Sequence, residues 1–219
     1  MNPELISGIL PCDFDGVLQI PIVRSPIVLP DFDFIVPFSE RKRKNADKAR
    51  SLLCFHEYDP NFSDILIAPD KYVEEFEQYV AIVTPDCSLY WNAPLAAQIT
   101  NHYRMNVIGY YYQHRGINVI PLVRWGDERT YTTKCFPEKI AFKGYDKHGI
   151  YAIAPYGVIK TRAEKYHFKN GLKEMIKELE PKIIVVYGAM PNEVFGEFLS
   201  ITRFVHFPDW TSFVKKGVQ

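Results

Sequence analysis

The chain has 219 residues, a length that can bury a full core without disulfide or metal staples. Its hydrophobic share of 47% and charged share of 24% are ordinary for a soluble globular protein. The charges balance, 26 basic against 26 acidic, whereas a protein built to grip duplex nucleic acid carries a clear basic excess. Cys12, Cys54, Cys87 and Cys135 are far apart with no Cys-x-x-Cys, which argues against a zinc ribbon or a disulfide framework. No signal peptide and no membrane-length apolar run is evident, so the chain reads as cytoplasmic, with reduced thiols and no membrane partner.

Residues 1–40 are rich in proline and β-branched residues. Ile20-Pro21-Ile22-Val23-Arg24 suits a short edge strand, where proline is tolerated, and Asp31-Phe32-Asp33-Phe34 suggests a second extended piece. Arg41-Lys42-Arg43-Lys44 opens a basic run that ends at Arg50. That run is a candidate nucleic-acid patch, but in a neutral chain a solvated loop is favoured. Residues 1–50 thus read as an irregular N-terminal arm and basic linker packed on a main α/β domain over 51–219.

The apolar run Ser51-Leu52-Leu53-Cys54-Phe55 reads as a strand ending in His56-Glu57-Tyr58-Asp59. A helix is expected over 70–78. Val80-Ala81-Ile82-Val83 follows as a buried strand and runs into Thr84-Pro85-Asp86-Cys87-Ser88. Pro94 then starts a long helix with Asn92 as its cap, and Leu95, Ile99, His102, Tyr103, Val107 and Tyr110 form its apolar-aromatic face. Gly116 is a natural stop. Asn118-Val119-Ile120-Pro121-Leu122-Val123 is the next strand, tipped by Arg124-Trp125-Gly126-Asp127-Glu128.

Further on, Ile140-Ala141-Phe142 suggests a short strand and Tyr151-Ala152-Ile153-Ala154 a better one, ending in Pro155-Tyr156-Gly157. A helix over 162–180 carries the stripe Tyr166, Phe168, Leu172, Met175, Ile176 and Leu179. Pro181 stops it, and Ile183-Ile184-Val185-Val186 is a strand tipped by Tyr187-Gly188. A last helix over 192–199 and an aromatic tail close the chain. Strands that are continuous β-branched runs are buried on both faces, so the sheet is mainly parallel and flanked by helices. About five strand–helix units fall short of the eight that close a barrel. The expected fold is α/β, an incomplete or distorted (β/α) barrel with an irregular N-terminal arm.

Parallel strands bring all their tips to one rim, where α/β proteins bind ligands. Asp86 and Asp127 each follow directly on an apolar strand and are the expected reacting carboxylates, with Glu128 beside them. Two such groups can serve as acid and base, or as nucleophile and stabiliser, at a glycosidic carbon, or can equally bind a divalent ion with waters; the alternative is that Asp86 holds its turn and Asp127 caps the next helix. Tyr90 and Trp125 offer stacking rings. Arg24 or Lys160 offers an anion contact. Glu57, Ser88, Tyr156, Gly157, Tyr187 and Gly188 complete the candidate ligand-binding set, and His56 is the one histidine on a tip. No histidine pair has metal-ligand spacing, and neither glycine belongs to a full phosphate-loop fingerprint, so no metal or cofactor is called for.

Several of these segments resemble a protein family described only as a domain of unknown function, whose members occur in bacteria, bacteriophages and other mobile elements. They are Asn2-Pro3-Glu4-Leu5, Ile20-Pro21-Ile22-Val23-Arg24, Thr84-Pro85-Asp86-Cys87-Ser88-Leu89-Tyr90, Asn118-Val119-Ile120-Pro121 with Trp125-Gly126-Asp127, and the strand over 182–188. The resemblance implies a phage or mobile-element setting and carries no activity. The expected function is therefore binding of a small nucleotide- or sugar-like molecule, with paired carboxylates able to cleave or exchange a glycosidic bond. The alternative is a non-enzymatic phage protein that sequesters a signalling nucleotide or binds nucleic acid through the basic run.

Overall fold

Four-residue apolar runs bounded by prolines, acids and short loops favour strands over helices, because they are too short for a stable helical stripe and rich in β-branched side chains. The computed structural model describes residues 12–43 and 47–215. Its strands and helices are, in order, β1 (Phe14–Asp15), β2 (Ile20–Pro21), β3 (Phe34–Pro37), β4 (Ser51–Cys54), α1 (Asp59–Ile67), α2 (Val73–Phe76), β5 (Ala81–Val83), α3 (Leu95–His114) and β6 (Val119–Ile120). The second half adds α4 (Glu128–Tyr131), β7 (Ile150–Ile153), α5 (Arg162–Leu179), β8 (Ile183–Tyr187), α6 (Asn192–Phe195), β9 (Arg203–Phe207) and α7 (Trp210–Lys215).

β3, β4, β5 and β6 pair in that order, all parallel, and β7, β8 and β9 form a second parallel ladder. A parallel bridge between Leu122 and Ala152 joins the two blocks, with Val123 N–H donating to Ala152 O and Ala152 N–H to Pro121 O, each at 2.9 Å. Seven co-directional strands in chain order are the arrangement of a (β/α) barrel, and this one stays open. The outer strands β9 and β3 meet through rings instead of a ladder: Phe32 stacks on Phe207 at 5.1 Å and Phe34 meets Phe213 edge-on at 5.5 Å. The parallel, helix-flanked, unclosed sheet is as expected, with two more strands than the five units counted from sequence. β3 lies before residue 51, so the sheet begins within the N-terminal segment.

α5 has the clearest sequence signals and they explain its ends. Thr161 Oγ1 accepts from the N–H of Glu164, whose carboxylate takes the Thr161 N–H in return. Glu180 turns left-handed at φ 47°, and Pro181 prevents continuation. Phe168, Leu172, Met175 and Leu179 bury one face of it in the core shared with β7 and β8.

α3 differs from expectation in two ways. Pro94, without a side-chain cap, is its N-cap. Its inward face carries Gln98, His102 and Asn106, all fully buried, because the elements packed there offer polar groups. Gln98 Nε2 donates to Asp127 Oδ2 (3.2 Å), His102 Nε2 to Lys143 O (3.0 Å), and Asn106 Nδ2 approaches the Tyr145 hydroxyl (3.4 Å). The segment Ile140–Phe142, expected as a strand, is a 3₁₀ turn. The strand it would have to join, β6, is occupied on one side by β5 and is continued on the other by the Leu122 bridge, so no free edge remains there.

The N-terminal hairpin of β1 and β2 is tied down at its turn, where Glu138 accepts the Val17 N–H at 2.9 Å. Beyond it, Val23 N–H donates to Gly144 O, and Val23 packs at Gly109 of α3, where any Cβ would strike the Thr84 methyl. In the basic run, Arg41 and Lys48 pair with Glu75, Arg43 with Glu40, and Arg50 with Asp33. Lys44 of that run, like the segment 2–5, lies outside the described residues. Among the described residues, no helix is long and apolar enough to cross a membrane.

Burial pushes the His102 imidazole down to about 4, so the fold holds it neutral. The unfolded chain binds that proton below about 6.5 and the folded one only below about 4, so stability is full above the first value and falls with pH between them. Urea unfolding should show a loss of about 2–3 kcal/mol between pH 7 and pH 4.5. That slope should flatten in His102→Gln; an unchanged slope would assign the loss to other groups.

Candidate functional site

All seven strands of the open barrel end at one rim, and each supplies a wall of a single cleft of about 530 Å³. Its lining includes Glu40 after β3, His56 and Glu57 after β4, Asp86, Ser88 and Tyr90 after β5, and Arg124 after β6. Tyr156, Gly157 and Lys160 follow β7, Tyr187 ends β8, and Asp209 and Trp210 follow β9.

Asp86 is fixed by the chain on either side. Pro85 holds Thr84 extended, and the Thr84 hydroxyl accepts the Leu122 N–H at 2.8 Å, locking the end of β5 to that of β6. The Asp86 carboxylate, 5% exposed, then meets two partners from neighbouring tips. Arg124 approaches with Nε 3.1 Å from Oδ1 and Nη1 3.1 Å from Oδ2, and His56 Nδ1 lies 2.9 Å from Oδ2. Burial opposes a charge on Asp86, but the guanidinium and the imidazole bond outweigh it and hold the carboxyl below its usual range. An ionised Asp86 accepts from Nδ1–H, so a neutral His56 keeps its lone pair on Nε2, on a ring that lines the cleft. The ring is backed by Tyr187, centroids 5.1 Å apart, whose hydroxyl in turn accepts the Trp210 N–H at 2.9 Å. This is an imidazole oriented by a carboxylate that is itself clamped.

Asp127 has a different post. It caps α4, accepting from Arg129 N–H (2.9 Å), from the Arg129 guanidinium (2.5 Å to Oδ2) and from Gln98. It does not line the cleft. Glu128 pairs with Lys134 at 2.6 Å and likewise lies away from it. Arg24 is bound to Asp146 and Asp13 on the arm, and its N–H donates to Gln113 at the far end of α3. Ser88 and Glu57 stand in the cleft wall but are engaged: Asp59 accepts from both the N–H and hydroxyl of Ser88, and Glu57 bridges the Ser39 N–H to Asn61. Gly157 takes φ 80° with open space above it, while Gly188 (φ 112°) has Tyr156 pressed against its face.

Tyr90 and Tyr156 are half-exposed rings on the rim. Trp125 is buried; its indole fills the notch left by Gly171 of α5 and donates Nε1–H to His167 O at 3.2 Å. It borders a smaller side cavity with Tyr90, Trp91 and His167, which meets the main cleft along Tyr90, Arg124, Gly157 and Val158. Among the described residues, no group of His, Cys, Asp and Glu is arranged to hold a metal ion.

Of the residues expected from sequence, Glu57, Asp86, Ser88, Tyr90, Tyr156, Gly157 and Tyr187 line the cleft, whereas Glu40, Arg124, Asp209 and Trp210 line it without having been expected. Arg124 had a signal. A carboxylate directly after a buried strand needs a cation, and Arg124 sits at the matching point of the next strand.

Fold and site together define an open, parallel α/β barrel with a histidine–aspartate–arginine centre in a cleft at its strand tips. The chain belongs to the family described as Domain of unknown function (DUF4417), whose model matches residues 12–208. It is similar to the "Gene 1 protein" of Mycobacterium phage L5, 31% identical over 150 residues, covering 68% of this chain and 62% of that one. The "Gene 1 protein" of Mycobacterium phage D29 is 27% identical over 150 residues, covering 68% of this chain and 53% of its own length. The match thus spans between half and two thirds of these longer relatives. No solved structure matches.

The two aspartates should separate on mutation. Asp86→Asn removes the counter-charge of a nearly buried arginine and should cost about 3 kcal/mol in chemical denaturation. Asp127→Ala should cost about 1 kcal/mol, the worth of one helix cap. Equal losses would show that Asp86 is not the clamp described.

Proposed function

We propose that the protein binds a nucleotide- or sugar-like small molecule in the strand-tip cleft and moves a proton on it through His56, oriented by Asp86. The observation that carries this is the clamp itself. A buried carboxylate fixed by Arg124 holds His56 Nδ1 at 2.9 Å, while the same ring lines a cleft rimmed by tyrosines. Aromatic rims with a polar floor suit sugars and nucleobases. A histidine held by a carboxylate suits general acid–base work on a ligand oxygen.

This reading keeps the ligand class expected from sequence and shifts the chemistry from one residue to another. Cleavage of a glycosidic bond by opposed carboxylates would need Asp127 to leave the α4 cap, where Arg129 and Gln98 hold it. His56 already stands against Asp86 in the cleft lining. A phage-type protein working in the host cytoplasm also accords with its free thiols, Cys12, Cys54, Cys87 and Cys135.

The test is to incubate the chain with a mixed nucleotide and nucleotide-sugar pool, heat-denature it, and identify released molecules by mass spectrometry. Wild type should retain and alter a ligand, whereas His56→Gln should retain it within a few-fold and turn it over ~100-fold or more slowly. A retained but unaltered ligand would make the protein a sequestering one. Retention of nothing would remove the cleft from consideration.

A further inference from the structure

The side cavity is built from different material than the main cleft. Leu89, Val123, Trp125 and Phe168 make it apolar, and Trp91 stacked on His167 (5.4 Å, 19°) gives it one flat wall. Two of the residues that line it each keep a polar atom without a protein partner among the described residues. Glu164 spends Oε2 on the N–H groups of Lys160 and Thr161, leaving Oε1; His167 spends Nδ1 on the Tyr131 hydroxyl, leaving Nε2. An apolar slot with a flat wall and a few edge-directed polar atoms is what a heteroaromatic ring requires.

Arg124 stands where the two cavities meet. Its Nε and Nη1 face Asp86, and Nη1 also approaches Ala154 O at 3.5 Å. Nη2 has no protein partner among the described residues, so its two N–H groups are unspent on a guanidinium that cannot swing away. Lys160 lines the main cleft close by in sequence to Gly157, and its ammonium makes no ion pair among the described residues. Gly157, with nothing within 4 Å of where a Cβ would stand, leaves the junction open.

We propose that the side cavity is a base-binding subsite, so that the ligand is a nucleotide: its ring lies against Trp91 in the slot, its phosphate rests on Arg124 Nη2 and Lys160 at the junction, and its sugar spans the two. This rests on the cleft reading above and narrows it, since a plain sugar phosphate would leave the aromatic slot empty. A fixed guanidinium with free N–H donors is a strong phosphate contact. The placement also sets the anion between the slot and His56, within the cleft where the histidine works.

The probes are cytidine and adenosine 5′-monophosphates, the two nucleosides and ribose 5-phosphate, titrated calorimetrically into the full chain. Trp91→Ala should weaken both nucleotides at least tenfold and leave ribose 5-phosphate unchanged. Lys160→Ala should weaken every phosphate several-fold and leave the nucleosides unchanged. Trp91 is partly exposed, so its removal spares the core, and Trp91→Phe should restore most of the affinity. Nucleotide binding that is indifferent to Trp91→Ala overturns the subsite while the cleft and His56 stand. Binding of ribose 5-phosphate as tight as that of the nucleotides does the same. If no probe binds, the subsite and the cleft reading fall together.

Discussion

One buried carboxylate holds this molecule's working end together. Asp86 sits at the tip of β5 and takes Arg124 from β6 on one side and His56 from beyond β4 on the other. Removing two charges from water is costly, and such a pair repays the cost only when geometry is good and further hydrogen bonds are made. Here Oδ2 accepts from both Arg124 Nη1 and His56 Nδ1, while Oδ1 has Arg124 Nε at 3.1 Å as its counter-charge and no hydrogen bond among the described residues. The same contacts fix three loops that would otherwise be free to wander. Positioning of the histidine and stability of the rim are therefore one fact seen from two sides.

The rest of the fold serves to bring these tips together. Short apolar strands, two to five residues long, cannot stand alone; they persist because helices cover them outside and neighbouring rings fill the space between. Phe38, Phe55, Phe62 and Phe76 form a connected aromatic cluster beneath the tip of β4. The aromatic share of 15% is explained largely by such packing, and by the pairs Phe32–Phe207 and Phe34–Phe213 that seal the seam where a closed barrel would have a ladder. The aromatic tail is thus spent on its own domain, with Trp210 turned into the cleft wall.

What could be read from sequence followed the strength of local signals. Parallel direction was legible because strands such as Val80 to Val83 and Ile183 to Val186 are continuous apolar runs. α5 was legible from its stripe and both its ends. β3 and β9 were not counted as strand units because their flanks carry prolines, acids and aromatics that look like arm or tail. The inward polar face of α3 was hidden because a pattern of apolar residues cannot show that Gln98, His102 and Asn106 find partners across a packing seam. At the site, the sequence placed Asp86 and His56 on one rim, but it could not show which carboxylate faces space and which one caps a helix. That distinction depends on where Arg129 folds back, a matter of a few ångströms in a loop.

The joint between the two ladders is slight: Leu122 against Ala152, held by two backbone hydrogen bonds. The histidine, its aspartate and its arginine all belong to the first ladder, while Tyr156, Lys160 and Tyr187 belong to the second. The two walls of the cleft thus share a narrow backbone joint, and ring contacts, His56 against Tyr187 and Phe32 against Phe207, carry the rest of the seam.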